Sequence, residues 1–276
     1  MKFQYLGTAA AEGIPAVFCQ CKICREAERR GGKELRFRTS ALINDKLLLD
    51  LSPDLYAAKL KFSLPLGNVR NIIITHAHGD HFNPKELFTF TGHNAYLDDR
   101  SDMHLWGSAY TAKMWEKAVS EIAELQKGFV FHILKPFETV VIEGVTVTAL
   151  KAVHSCPESF IYQLEQGGAK MLYGNDTGPF HEETWAWLAA HNEKPFTTVS
   201  LDSTMGLPPS CYNGHMTLEE NVQTRERMIK EGIALPTTRF ICHHFSHNGL
   251  TLHKETEELM GPRGFEVSYD GKTFAA

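Results

Sequence analysis

Thr75-His76-Ala77-His78-Gly79-Asp80-His81 follows directly on Ile72-Ile73-Ile74. The apolar triplet reads as the end of a buried strand. Ala77 and Gly79 are small enough for the chain to turn sharply as it leaves that strand. Three imidazoles and a carboxylate are thereby crowded at a strand end, where sheet proteins tend to carry their chemistry. Nitrogen and oxygen donors in this mixture suit borderline divalent transition metals. Unliganded surface histidines would be the bland explanation, and four metal-type donors in six residues after a buried strand weigh against it.

Working outward, short β-type runs alternate with amphipathic helical patterns on both sides of this motif. Strands are predicted over 3–6, 39–43, 47–51, 71–75, 139–142, 145–150, 160–164, 170–173, 197–201, 239–242 and 265–269. Helices are predicted over 23–30, 53–61, 84–89, 109–126, 181–190, 218–231 and 254–260. Asn44-Asp45 is a tight turn between two strands. Helix 109–126 carries Met114, Ala118, Ile122 and Leu125 on one face, to pack on the body or cover the site. Strand blocks flanked by helices suggest an α/β fold, a four-layer αββα sandwich. Residues 1–276 are expected to form one domain with a helical insertion around 104–127.

A net charge of −5 and the lack of any basic run argue against a nucleic-acid binder. No stretch approaches the roughly 20 apolar residues a membrane span needs. Met1–Gly7 reads as a strand and not as a signal peptide, so a cytoplasmic location is expected. Three of the six cysteines fall together as Cys19-Gln20-Cys21-Lys22-Ile23-Cys24. Without an export signal, such a cluster favours metal over disulfides. Three thiolates can seize one face of a tetrahedral zinc and leave one position for a ligand from elsewhere. Free buried thiols or a redox pair are the alternative. Further on, Thr217 and Glu220 form an S/T-x-x-E capping box, so a helix starts there. His215 stands just before that helix, a favourable place for a phosphate.

The pattern T-H-x-H-x-D-H resembles the signature of the metallo-β-lactamase superfamily, and that superfamily's later ligands occur in order. His154 follows a strand, Asp176 lies in Tyr173-Gly174-Asn175-Asp176-Thr177-Gly178, and His244 lies in His243-His244-Phe245-Ser246. The resemblance implies that His76, His78 and His154 hold one divalent metal, and that Asp80, His81 and His244 hold the other. Asp176 would bridge the two. Zinc, manganese, iron and nickel all suit the donors. The start Leu6-Gly7-Thr8, then Gly13-Ile14-Pro15, then the cysteine cluster is similar to the carbon–phosphorus-lyase accessory phosphodiesterases. That likeness implies one structural zinc on Cys19, Cys21, Cys24 and His247, with Cys242 and His243 as competing fourth ligands. It also implies that His215 contacts the phosphate and protonates the leaving oxygen. The segment 211–215 matches this region only loosely.

The function implied is a dinuclear metal-dependent hydrolase. A small phosphodiester, cyclic or short, is the substrate favoured, attacked by a hydroxide shared between the metals, with Asp80 and His215 catalytic. The alternatives are a carbonyl hydrolase (lactonase or thioesterase) and a non-hydrolytic accessory protein of cofactor biosynthesis, because fold does not decide function. A tRNA 3′-end nuclease would need a long basic arm that is not visible. The expected partner is a small molecule, with no membrane and no nucleic acid. The resemblance also implies a homodimer as one expected assembly.

Overall fold

Asn44 and Asp45 both sit in the left-handed region, at φ 51° and 60°, and close the hairpin between β2 (Ser40–Ile43) and β3 (Leu47–Leu49). They are the two central residues of a turn in which the Lys46 amide donates to the Ile43 carbonyl at 3.0 Å, and with Lys46 they make a three-residue loop before Leu47, the partner of Ile43. The computed structural model describes residues 1–209 and 212–276. Cys211, the start of the loosely matching segment before His215, lies outside the described residues.

The hairpin belongs to a seven-stranded sheet. Its other strands are β1 (Lys2–Gly7), β4 (Asn71–Ile73), β5 (Met103–Gly107), β6 (Phe129–Ile133) and β14 (Thr273–Ala275), and the spatial order is β14-β1-β2-β3-β4-β5-β6. The second sheet is built from β7 (Thr139–Ile142), β8 (Val145–Lys151), β9 (Phe160–Gln166), β10 (Ala169–Gly174), β11 (Phe196–Asp202), β12 (Ala234–His243) and β13 (Phe265–Val267). Its order is β13-β12-β11-β10-β9-β8-β7. Each sheet is antiparallel on one side and parallel on the other, the change falling at β3 in the first and at β10 in the second.

Side-chain alternation explains the layering. In β3, Leu47 and Leu49 face the second sheet, while Leu48 faces the helices. Ile73 points into the space between the sheets, and Ile72 and Ile74 point outward. The inter-sheet core also takes Phe3, Tyr5, Val147, Tyr162, Tyr173 and Ile241. Outside the first sheet lie α2 (Leu55–Phe62) and α3 (Ala109–Glu121), contributing Ala58, Trp115 and Ala118. Outside the second lie α1 (Lys22–Arg30), α4 (Glu182–Ala190), α5 (Leu218–Lys230) and α6 (His253–Met260). They bury Ala27, Trp185, Leu188, Met228 and Met260. The result is the expected four-layer αββα sandwich.

Two local expectations change. The stretch 104–127 begins on β5, which pairs in parallel with β4 and β6, so α3 is the crossover of a β-α-β unit within the sheet. The buried face of α3 is Thr111, Ala112, Trp115 and Ala118, with Met114 only partly covered. Trp115 packs on Phe129 of β6, a strand outside the expected set. Residues 84–90 form a 3-10 helix in place of an α-helix. Among the described residues, no helix is long and apolar enough to cross a membrane.

Buried tyrosines tie the sheets together. Tyr5 of β1 donates to Ser200 Oγ of β11 at 2.7 Å, and Tyr162 of β9 donates to the Ile74 carbonyl at 2.6 Å. Each such bond contributes about 1 kcal/mol net, and an unpaired buried partner costs about 1–3 kcal/mol. The second bond fixes the end of β4, from which the histidine motif departs.

Candidate metal centre

The motif, the loops after β8 and β10, and the end of β12 all open at the same edge of the sandwich. Ligand atoms of His76, His78, His154 and Asp176 lie within 4.8 Å of one another, as do those of Asp80, His81, Asp176 and His244. Asp176 is common to both groups. His76 Nε2 is 3.0 Å from His78 Nδ1, which is 3.1 Å from His154 Nε2. Asp176 Oδ2 lies 3.2 Å from His76 Nε2, 3.0 Å from His81 Nε2 and 3.8 Å from His244 Nε2.

The donor set fits divalent cations. His81 Nε2, His244 Nε2 and Asp176 Oδ1 are buried without an aligned hydrogen bond, although charged groups stand nearby. Leaving such atoms unpaired is costly unless something else satisfies them. Four carboxylates, Asp50, Asp80, Asp176 and Asp202, gather around these rings, a concentration of negative charge that a divalent cation would balance. Burial, helped by His81, draws His76 down to about 3, so its ring is neutral and ready to ligate. Burial works against ionising Asp80, but His81 outweighs it and holds the carboxyl well below its usual range.

A second ring of contacts orients the first. His81 Nδ1 donates to Asp50 Oδ2 at 2.8 Å, and Asp50 also accepts from the Thr75 amide at 2.7 Å. His244 Nδ1 is 2.7 Å from Thr204 Oγ1 and 3.3 Å from Asp202 Oδ2. His154 Nδ1 donates to the Gly214 carbonyl at 3.1 Å. Asp50, Asp176 and His244 all have positive φ, at 62°, 51° and 59°. Strained backbone of this kind clusters at working sites, held by its surroundings. The sequence reading overlooked Asp50, Thr204 and Asp202. Their signal was positional, since Asp50 closely follows β3 and Asp202 ends β11.

His215 joins the same centre. Its Nδ1 is 2.9 Å from Asp202 Oδ2 and 3.0 Å from Asp176 Oδ1. Burial disfavours its charge, but Asp202 and Asp176 outweigh burial and lift it to about 11. The capping box of Thr217 and Glu220 starts α5 two residues on. Gly178 lets the loop after Asp176 pass against the chain before His215, since a Cβ there would stand 1.6 Å from the Asn213 carbonyl oxygen. The cavity over these residues, about 460 Å³, is lined by Glu12, His78, Asp80, Asp176, Tyr212, His215 and His244 among others. A larger hollow of about 630 Å³ between Phe90 and Gly128 holds no such donor cluster among the described residues.

The three cysteines and His247 form a separate group. Cys19 Sγ and Cys21 Sγ each lie 3.3 Å from His247 Nδ1. Cys21 caps α1 and accepts from the Cys24 amide at 3.4 Å. Burial raises the Cys21 thiol, but the Cys24 amide and His247 outweigh it and bring it down to about 6. The two competitors stand elsewhere. His243 spends its nitrogens on Tyr173 Oη at 3.2 Å and Ser268 Oγ at 3.1 Å, and Cys242 is buried in β12. All twelve residues singled out from the sequence thus fall into these two places.

Residues 45–245 match the model of the beta-lactamase superfamily domain. The chain belongs to the beta-lactamase superfamily. With its His/Asp clusters, it is a metal-dependent hydrolase of that group. Its fold is similar to that of a diphosphatase from the PhnP family, at 20% identity over all of this chain and 97% of that one, with a TM-score of 0.78. It is also similar to Zn2+-bound PqqB from Methylobacterium extorquens, at 16% identity over 100% of both chains and a TM-score of 0.70. Human tRNase Z, short form, matches at 18% identity over 100% of this chain and 99% of that one, with a TM-score of 0.68. An octanoyltransferase of Porphyromonas gingivalis (strain ATCC BAA-308 / W83) is 33% identical over 85 residues, which is 29% of this chain and 16% of that protein.

Proposed function

We propose that the chain is a phosphodiesterase that works with two divalent metal ions on a small phosphodiester, cyclic or short. The observation that carries this reading is His215. A histidine held in its charged form by a buried aspartate, beside the shared Asp176 and at the start of a capped helix, suits a phosphate and its leaving oxygen. His76, His78 and His154 would hold one ion, Asp80, His81 and His244 the other, and Asp176 both. When bound, such a pair supplies Lewis acidity and a more acidic water. His215 has Nδ1 occupied by carboxylates, which leaves Nε2 to deliver a proton to the departing alkoxide. Asp202 keeps that proton in place, and Asp80 lines the cavity where it can orient water. The Cys19, Cys21, Cys24 and His247 group would hold a structural zinc and take no part in turnover. The fold neighbour described as a diphosphatase supports phosphate chemistry at such a site.

The carbonyl-hydrolase reading draws on one observation, the local likeness to an octanoyltransferase, a protein of acyl chemistry. A panel of chromogenic substrates separates the two. Metal-replete protein would be given a phosphodiester, a diphosphate diester, a phosphomonoester, a lactone and a thioester, with Asp80→Ala as the blank. Diester turnover absent from the blank supports the proposal. Lactone or thioester turnover without phosphate turnover replaces it.

A further inference from the structure

Glu12 belongs to neither donor cluster, yet it stands between them. It lines the active-site cavity with Asp80 and His244. Its Oε1 accepts a hydrogen bond from Ser246 Oγ and lies 3.6 Å from His247 Nε2. Among the described residues its one ion-pair partner is His247, and no lysine or arginine neutralises it.

The two ring nitrogens of His247 have different tasks. Nδ1 faces two sulfurs at 3.3 Å, so a metal held there needs the Nδ1 lone pair. The ring proton must then sit on Nε2, the atom that faces Glu12. At 3.6 Å the carboxylate makes an ion-pair contact that favours the proton on Nε2 and so keeps the lone pair on the ligating nitrogen. Ser246 holds the carboxylate still, because its Oγ also accepts from the Asn248 amide at 3.0 Å. The main chain nearby is pinned independently, by Ala10 N to Phe245 O at 2.8 Å and Phe245 N to Thr8 O at 2.9 Å. Loss of the Glu12 side chain therefore leaves the loop in place.

We propose that Glu12 is the positioning residue of the cysteine–histidine clip, orienting His247 for the metal and tying the clip to the wall of the active-site cavity. This rests on reading Cys19, Cys21, Cys24 and His247 as a metal site. The test uses apo protein titrated with Co(II), whose thiolate-to-metal charge-transfer band reports only the clip, because the other cluster contains no cysteine. Zinc affinity is then measured by competition with a chromogenic chelator. Glu12→Ala should weaken the clip on the order of 10–100-fold, and Glu12→Gln by less, while the affinity of the His/Asp cluster stays at the parent value. Unchanged clip affinity in Glu12→Ala overturns the proposal, even if melting falls, because a merely structural role lowers stability without moving the Co(II) titration. Cys21→Ser is the control. A parent protein without a thiolate band removes the clip reading itself and the role of Glu12 with it. A parent band that is lost in Cys21→Ser but unmoved in both Glu12 variants removes only the role of Glu12.

Discussion

Replacing Asp202 with Asn tests the proposed acid most directly. The amide keeps the carboxylate's shape, and its oxygen can still accept from the amides of Thr204 and Met216, now at 2.9 Å and 3.1 Å. What disappears is a negative charge 2.9 Å from His215 Nδ1. At an effective dielectric of about 20 that charge is worth about 6 kcal/mol to the imidazolium, or about 4 pKa units. His215 is partly exposed, and screening by water weakens the interaction, so a fall of about 2–4 units is expected. The Asn amide N–H would also face Nδ1, which favours the neutral ring. The assay is kcat/KM against pH on protein with measured metal content. The alkaline limb should move to lower pH by about two units or more, and because the charged fraction of His215 at about pH 9 would drop from nearly full to between about one half and one hundredth, kcat there should fall about 2- to 100-fold. An unmoved alkaline limb with full metal content would refute the reasoning and leave His215 without its acid role. Metal content must be measured because Asp202 also stands 3.3 Å from His244.

Four further outcomes are expected. Asp50→Asn keeps a residue tolerant of φ 62° but loses the charge behind His81, so active-site metal affinity should drop about 10–100-fold in a chelator titration. Gly178→Ala pushes the loops of Asp176 and His215 apart, and kcat should fall on the order of 100-fold while both metals stay bound. Cys21→Ser should lose one metal equivalent and lower the melting temperature before it affects turnover chemistry; full zinc loading with unchanged melting would contradict the clip. Asp270, which accepts from the Phe37 amide and Thr8, is held up at about 6 by burial. Its contribution to stability is therefore present below pH 3.8 and lost as pH rises through about 6, by roughly 3 kcal/mol at most. Asp270→Asn should remove that part of the parent's decline, as seen in melting curves across this range.

The run Ile72 to His81 fixed much of this protein without any coordinates. An apolar strand, two small residues and four donors specify a local geometry that needs no distant partner, so β4 and its candidate donors were legible. The same holds for the Asn44-Asp45 turn and the capping box at Thr217, where local backbone preferences decide the conformation. Strands β5 and β6 were not legible. Met103–Gly107 and Phe129–Ile133 are short, and they become strands only because β4 offers an edge and α3 covers them. Asp50, Asp202 and Glu12 were hidden for a different reason. Nothing in a neighbouring residue marks them, since their partners His81, His215 and His247 lie 31, 13 and 235 positions away. Donor chemistry is written along the chain where ligands cluster. The carboxylates that stand behind those donors are chosen by what the folded sheets bring within hydrogen-bond or ion-pair reach, and tertiary structure alone decides that.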